Sequence, residues 1–155
     1  MASQTDLESD YMKYYNPPSL SKRQPTLNNR KQWENNYFTY LADHLKLCIP
    51  GKKGLGFAVG REVLPSLLSN FGCHLHVTDM KNYDNITWAG DTTRSVKDVY
   101  HEGLAVGFSK FKDLVSFFNV DMLEIPSSLL REEYDFLWSI CSIEHCKLRL
   151  FVSLS

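Results

Sequence analysis

The stretch Gly54-Leu55-Gly56-Phe57-Ala58-Val59-Gly60 crowds three glycines together, and an acid, Asp79, closes the later run Leu75-His76-Val77-Thr78-Asp79. Gly56 and Gly60 can adopt positive φ and let the backbone approach a ligand closely, while a helix opening beyond them offers free N–H groups to an electron-rich partner. A carboxylate at the tip of the following strand can accept hydrogen bonds from a ribose diol. A second acid, Asp121, ends the apolar residues 114–120. Glycine turn and acids together point to a bound nucleoside cofactor.

The elements that must position these groups follow from hydrophobic periodicity. Residues 53–57 predict a first strand, 61–71 a helix burying Val63, Leu64, Leu67, Leu68 and Phe71, and 73–79 a second strand. Pro65 falls early in that helix, where its missing N–H costs least, and Gly72 ends it, giving a right-handed βαβ unit. Residues 80–112 read as a long connection, a loop around Trp88, Gly90 and Asp91 followed by a short helix over 96–103. Residues 114–120 predict a buried third strand, Ile125-Pro126 a break, Leu129-Leu130 a short helix or turn, and 134–139 a fourth strand entering Cys141-Ser142-Ile143-Glu144-His145.

Ahead of this unit, residues 1–30 form a polar extension interrupted by Pro17-Pro18 and Pro25, with Tyr11, Tyr14 and Tyr15 readable as a lid or an unstructured arm. Residues 31–50 hold a helix packing on the domain, with Trp33, Tyr37, Phe38, Leu41 and Leu45 at helical spacing, stopped by Ile49-Pro50-Gly51. The ligand-binding domain spans 51–146, and 147–155 is an atypical tail.

Composition narrows the function classes. A chain of 155 residues suits one domain, which at this size buries roughly 68–70% of its unfolded surface. Lysine plus arginine number 17 against 18 acids, so the basic footprint that a nucleic-acid backbone requires is missing. Cys48, Cys73, Cys141 and Cys146 make no CxxC pair, and His74 and His76 read as packing or surface residues, so no metal is expected. Asp6, Glu8 and Asp10 replace a basic leader, and no window approaches the ~20 apolar residues of a membrane span. The expectation is a soluble cytoplasmic protein with no membrane or nucleic-acid partner.

Gly56–Gly60, Asp79 and Asp121 at three successive strand ends, with Asp135-Phe136-Leu137-Trp138-Ser139 and Cys141-Ser142-Ile143-Glu144-His145 after them, resemble class I S-adenosylmethionine-dependent methyltransferases over residues 52–145. The resemblance implies an α/β fold, a Rossmann-like three-layer sandwich with a mainly parallel sheet, and S-adenosyl-L-methionine as cofactor. It implies that Gly54, Gly56, Ala58 and Gly60 form the turn beside the methionine part, and that Asp79, next to Met80, bonds the ribose. Asp121 would bond the adenine amine, with Met122 packing the ring. Ser139 and Cys141 would open onto the methionyl group, and Glu144 and His145 would be candidate catalytic bases toward an unidentified acceptor, a small molecule being favoured.

Two positions depart from the family. Ala58 stands where a glycine is common and is tolerated there if its φ is negative, and Gly54 stands where an acid often meets the ligand's amino group. The family continues for three more strands, so a sheet ending after the fourth strand is expected to be incomplete at its C-terminus. Phe136 and Trp138 would then lie along an exposed edge open to self-association. Two alternatives stand beside the methyltransferase: a catalytically incomplete adenosylmethionine-binding or interaction fragment, and an NAD(P)-dependent oxidoreductase. The spacing Gly54-x-Gly56-x-x-x-Gly60 is one residue too long for GxGxxG, which disfavours the oxidoreductase.

Overall fold

The computed structural model describes residues 30–80 and 94–143. They form an α/β fold around a four-stranded sheet, β1 Lys53–Gly56, β2 His74–Asp79, β3 Val115–Asn119 and β4 Phe136–Trp138, in the order β3-β2-β1-β4. Every pairing is parallel. Leu55 and Leu75 lie buried in neighbouring strands, and with Val77 and Val115 they make the apolar centre that a sheet covered by helices requires.

Four helices and a 3-10 turn connect and cover the strands: α1 Arg30–His44, α2 Leu64–Ser69, the 3-10 turn Val96–Val99, α3 Phe108–Leu114 and α4 Ser127–Leu130. α2 is wholly buried, and Leu64 and Leu68 join Val59, Val99 and Phe111 in one core cluster. The predicted helix over 61–71 is thus shortened at both ends. Residues 57–63 are spent on turns, and the chain leaves helical geometry just past Asn70.

The long connection between β2 and β3 is held to α2 by polar groups. Ser66 Oγ donates to the Val99 carbonyl at 2.8 Å and accepts from the His101 N–H at 2.8 Å. Asn70 Nδ2 donates to the Leu104 carbonyl at 2.7 Å, and Ser69 Oγ accepts from the Val106 N–H at 3.3 Å. Sequence reading assigned this stretch a helix over 96–103 and missed α3, which begins at Phe108 and passes directly into β3. Its Phe111 is fully buried and its Phe108 ring meets Tyr100 at 4.8 Å, but Ser109, Lys110, Lys112 and Asp113 are all exposed, leaving little apolar periodicity to detect.

α1 also corrects expectation. Its most buried positions are Asn35, Asn36, Thr39 and Ala42, whereas Leu45 is exposed and Trp33 and Tyr37 stack on each other with centroids 5.3 Å apart. Thr39 Oγ1 donates to the Asn35 carbonyl at 2.7 Å, so this buried hydroxyl is satisfied within the helix. Cys48 and Cys73 are buried free thiols in mutual contact, and the hydrogen bond with Cys73, then burial, push the Cys48 thiol up. They serve packing.

β4 reverses a further expectation. Phe136 and Trp138 are 8% and 4% exposed, and the residue facing out is Leu137, at 61%. The two rings lie where side chains of Gly54 and Gly56 would be: a Cβ on Gly54 would fall 2.2 Å from the Phe136 ring, and one on Gly56 2.3 Å from the Trp138 indole. These glycines are therefore required by the neighbouring strand. Among the described residues no helix is long and apolar enough to cross a membrane.

Overpacking of this kind typically costs about 1–3 kcal/mol. Gly56→Ala is expected to lose stability in that range, read as a lowered denaturant midpoint at unchanged slope.

Candidate functional site

Parallel strands bring all their carboxyl ends to one edge. β1 has β2 on one side and β4 on the other, so the turns that follow these three strands lie together at that edge, where ligands of open parallel sheets bind. The turn after β1 is fixed on both flanks. Phe57 N–H donates to the Trp138 carbonyl at 2.9 Å, Val59 N–H to the Thr78 carbonyl at 3.0 Å, and Thr78 Oγ1 to the Gly56 carbonyl at 3.0 Å.

Within that turn Gly60 has φ 52° and Ala58 φ 49°. The condition for an unstrained alanine at position 58, a negative φ, is not met: the residue occupies the left-handed region, where a Cβ costs roughly 1–2 kcal/mol. Cys141, in the turn after β4, has φ 56°. Ser142 Oγ donates to the Ala58 carbonyl at 3.2 Å, tying the two strained turns to each other.

The sequence-predicted residues divide into three groups. Asp79, Met80, Ala58, Gly60, Asp121, Met122, Ser139 and Cys141 lie at the carboxyl edge, in the ends of β2, β3 and β4 or the turns that follow the strands. Gly54 and Gly56 lie within β1, under Phe136 and Trp138. Glu144 and His145, and with them Tyr11, Tyr14, Tyr15 and the tail 147–155, fall outside the described residues.

The two acids differ. Asp79 is 2% exposed, and its Oδ1 accepts the Met80 N–H at 3.0 Å. Asp121 is half-buried, and its Oδ1 accepts the Leu123 N–H at 2.9 Å, the loop-closing bond of an aspartate in a turn. The helix beyond the glycine turn starts only at Leu64 and has six residues with no side-chain cap. Its N-terminus is too short and too distant from Gly60 to supply the expected N–H groups.

Sequence reading missed the group that dominates the local electrostatics, Glu62. Burial pushes its carboxyl up to about 8; Lys31 opposes the shift, Asp79 and Glu34 reinforce it, and the Trp138 indole favours the charged form. Glu62 Oε2 and Trp138 Nε1 are buried and interact with each other outside strict hydrogen-bond geometry, whereas Ser139 Oγ is buried with no hydrogen-bond partner among the described residues. Glu34 from α1 accepts a hydrogen bond from Cys141 Sγ at 3.1 Å, so α1 packs against the turn after β4. The signal for Glu62 was an acid two residues past Gly60, overlooked because the segment was read as the start of an amphipathic helix.

At the amino edge the charges are neutralised. Lys52 and Lys53 pair with Asp135 and Glu132, both at 2.5 Å, and Asp135 also accepts the Lys53 N–H at 2.8 Å. The open depression there, lined by Gly51, Lys53 and residues 131–135, is thus a surface of compensated ions. Among the described residues no three His, Cys, Asp or Glu side chains are placed to hold a metal ion. Comparison with protein-family models, curated proteins and solved structures returns no match.

Two outcomes follow for stability. Ala58→Gly relieves the left-handed strain but adds about 0.4–1 kcal/mol of unfolded-state entropy, so a net gain of up to about 1 kcal/mol is expected by chemical denaturation. Glu62 keeps its proton in the fold up to about 8, whereas an ordinary glutamate loses it at 4.5, so the native state binds more protons in that window and stability falls as pH rises through it. Glu62→Gln should therefore raise the melting temperature at about pH 8 and leave it nearly unchanged at about pH 4.

Proposed function

We propose that this chain is a class I S-adenosylmethionine-dependent methyltransferase of Rossmann-like fold, binding the cofactor at the carboxyl edge and passing its methyl group to a small-molecule acceptor. One observation carries the reading: a nearly inaccessible acid, Asp79, ends β2 beside a turn of positive φ, at the carboxyl edge of a parallel sheet of order β3-β2-β1-β4. Ligands of open parallel sheets bind at such a point, and an acid there suits a ribose diol.

The residues present fit the group. Asp79 would hold the ribose, Met80 and Met122 would flank the base, and the turn at Ala58 and Gly60 with Ser139 and Cys141 would surround the amino-acid part. Ser139 Oγ, buried without a partner among the described residues, supports a polar ligand here, because buried polar atoms are ordinarily satisfied. Asp121 would reach an adenine amine only with its second oxygen, since Oδ1 accepts from its own loop. The bound donor supplies a methyl already activated on a sulfonium, so the protein's contribution is to orient the acceptor and exclude water.

Calorimetric titration with S-adenosylhomocysteine and with NAD tests this. S-adenosylhomocysteine is expected to bind and NAD not to. Asp79→Ala should weaken S-adenosylhomocysteine binding by about ten- to a hundredfold, the worth of hydrogen bonds to a charged group. Binding of NAD alone would overturn the reading.

A further inference from the structure

The segment that leads into β4 is held to the sheet by a cluster of side chains remote from the carboxyl edge. The Tyr134 hydroxyl and His76 Nδ1 meet at 2.9 Å. The His76 ring is half-buried, with the Phe118 ring of β3 at 4.9 Å between centroids and the Tyr134 ring edge-on at 5.6 Å. Beside it Lys53 pairs with Glu132 and Lys52 with Asp135, while the Asp135 N–H donates to the Lys53 carbonyl at 2.8 Å. Residues 132–135 are thus fastened to both β1 and β2.

The fastening matters beyond its own edge. β4 is three residues long and β1 is its one neighbour among the described strands. The far end of β4 steadies the turn after β1, because the Trp138 carbonyl accepts from the Phe57 N–H and Ser142 Oγ donates to the Ala58 carbonyl. Loosening of residues 132–138 therefore reaches the carboxyl-edge turn.

One group in the cluster changes charge near neutrality. Burial, then the Lys53 ammonium, holds the His76 imidazole below its ordinary value of 6.5; Glu132 opposes the shift, and His74, on the same face of β2, adds to it. β3 contributes the uncharged Phe118 ring, and burial, then Glu132, pushes the Tyr134 hydroxyl up, so it keeps its proton. The bonds from Lys53 and Lys52 hold the Glu132 and Asp135 carboxyls below their ordinary range, so both ion pairs persist while His76 titrates. Arg131 and Glu133, in the same depression, are exposed to water.

We propose that His76 and Tyr134 form an acid-released clasp, which holds β4 on β1 at neutral pH and lets it go as His76 takes up a proton. The hydrogen bond between the two survives with either partner donating, so it is not the trigger. The trigger is charge: an imidazolium packed against two rings and beside Lys53 lacks the water that it regains when residues 132–135 lift away. β2 lies inside the sheet, so the part that moves is the segment before β4. The opened state binds the proton more tightly, and opening is favoured as pH falls through 6.5 toward the lower value of the packed ring; above 6.5 the clasp is secure.

Hydrogen exchange followed by NMR on the full chain, from about pH 7.5 to about pH 5 and corrected for intrinsic rates, tests this. Protection of the Leu137 amide is expected to fall severalfold on acidification while that of Val77 in β2 holds. The fall should level off where the His76 ring protons show the folded imidazole itself titrating, below 6.5. His76→Gln should flatten the profile, and His74→Gln should leave it intact. Constant Leu137 protection, a His76 titration at or above 6.5, equal loss in β2 and β4, or a fall that persists in His76→Gln overturns the inference. The first three of these are read on the unsubstituted chain, so the outcome does not depend on the folding of a variant.

Discussion

The architecture rests on one steric match, the seating of the Phe136 and Trp138 rings on the bare backbone of Gly54 and Gly56. Paired strands run close together, and two large rings can lie flat over the neighbouring strand only where it carries no side chains. The match selects β4 as the partner of β1 and fixes the register Gly54 with Phe136 and Gly56 with Trp138. With β4 so placed, β1 has a neighbour on each side, and the turn that follows it is held from both, by the Trp138 carbonyl and by the Thr78 carbonyl.

Much of this frame was legible. Apolar runs punctuated by glycine and proline located all four strands, because each carries apolar residues into the core: Leu55 in β1, Leu75 and Val77 in β2, Val115 in β3, and Phe136 and Trp138 in β4. What eluded sequence reading was settled by contacts between distant residues. Gly54 and Gly56 look like ligand-facing glycines until the rings from β4 are seen above them. α1 buries Asn36 and Thr39 while Leu45, just past its end, is exposed, and the Thr39 hydroxyl is tolerated inside because it donates to the Asn35 carbonyl of its own helix. α3 carries one fully buried residue in seven, too little for its period to register.

The candidate site was legible in outline only. Asp79 could be placed from its spacing after the glycine turn, since strand length and crossover length are narrowly constrained. Glu62 could not, because its character comes from being buried beside Asp79, Glu34 and Trp138, which lie on three other elements. The two edges of the sheet therefore behave oppositely. At the amino edge every lysine next to β1 has a carboxylate in reach, whereas the carboxyl edge holds Ala58 and Cys141, two of the three non-glycine residues of positive φ among those described. Backbone strain of this kind is a feature that ligand sites often share.

The pairing of β1 with β4 also has a temporal side. The hydrogen bond from Lys53 N–H to Asp135 spans 82 positions of chain, and the ring-on-glycine contacts span as many. As the polypeptide emerges from the ribosome, β1 can add β2 soon after it appears, but its other flank stays uncovered until β4 has been made. Through that interval the glycine strand presents open backbone along one side, so the nascent chain is most vulnerable to mispairing at the very segment whose register β4 later fixes.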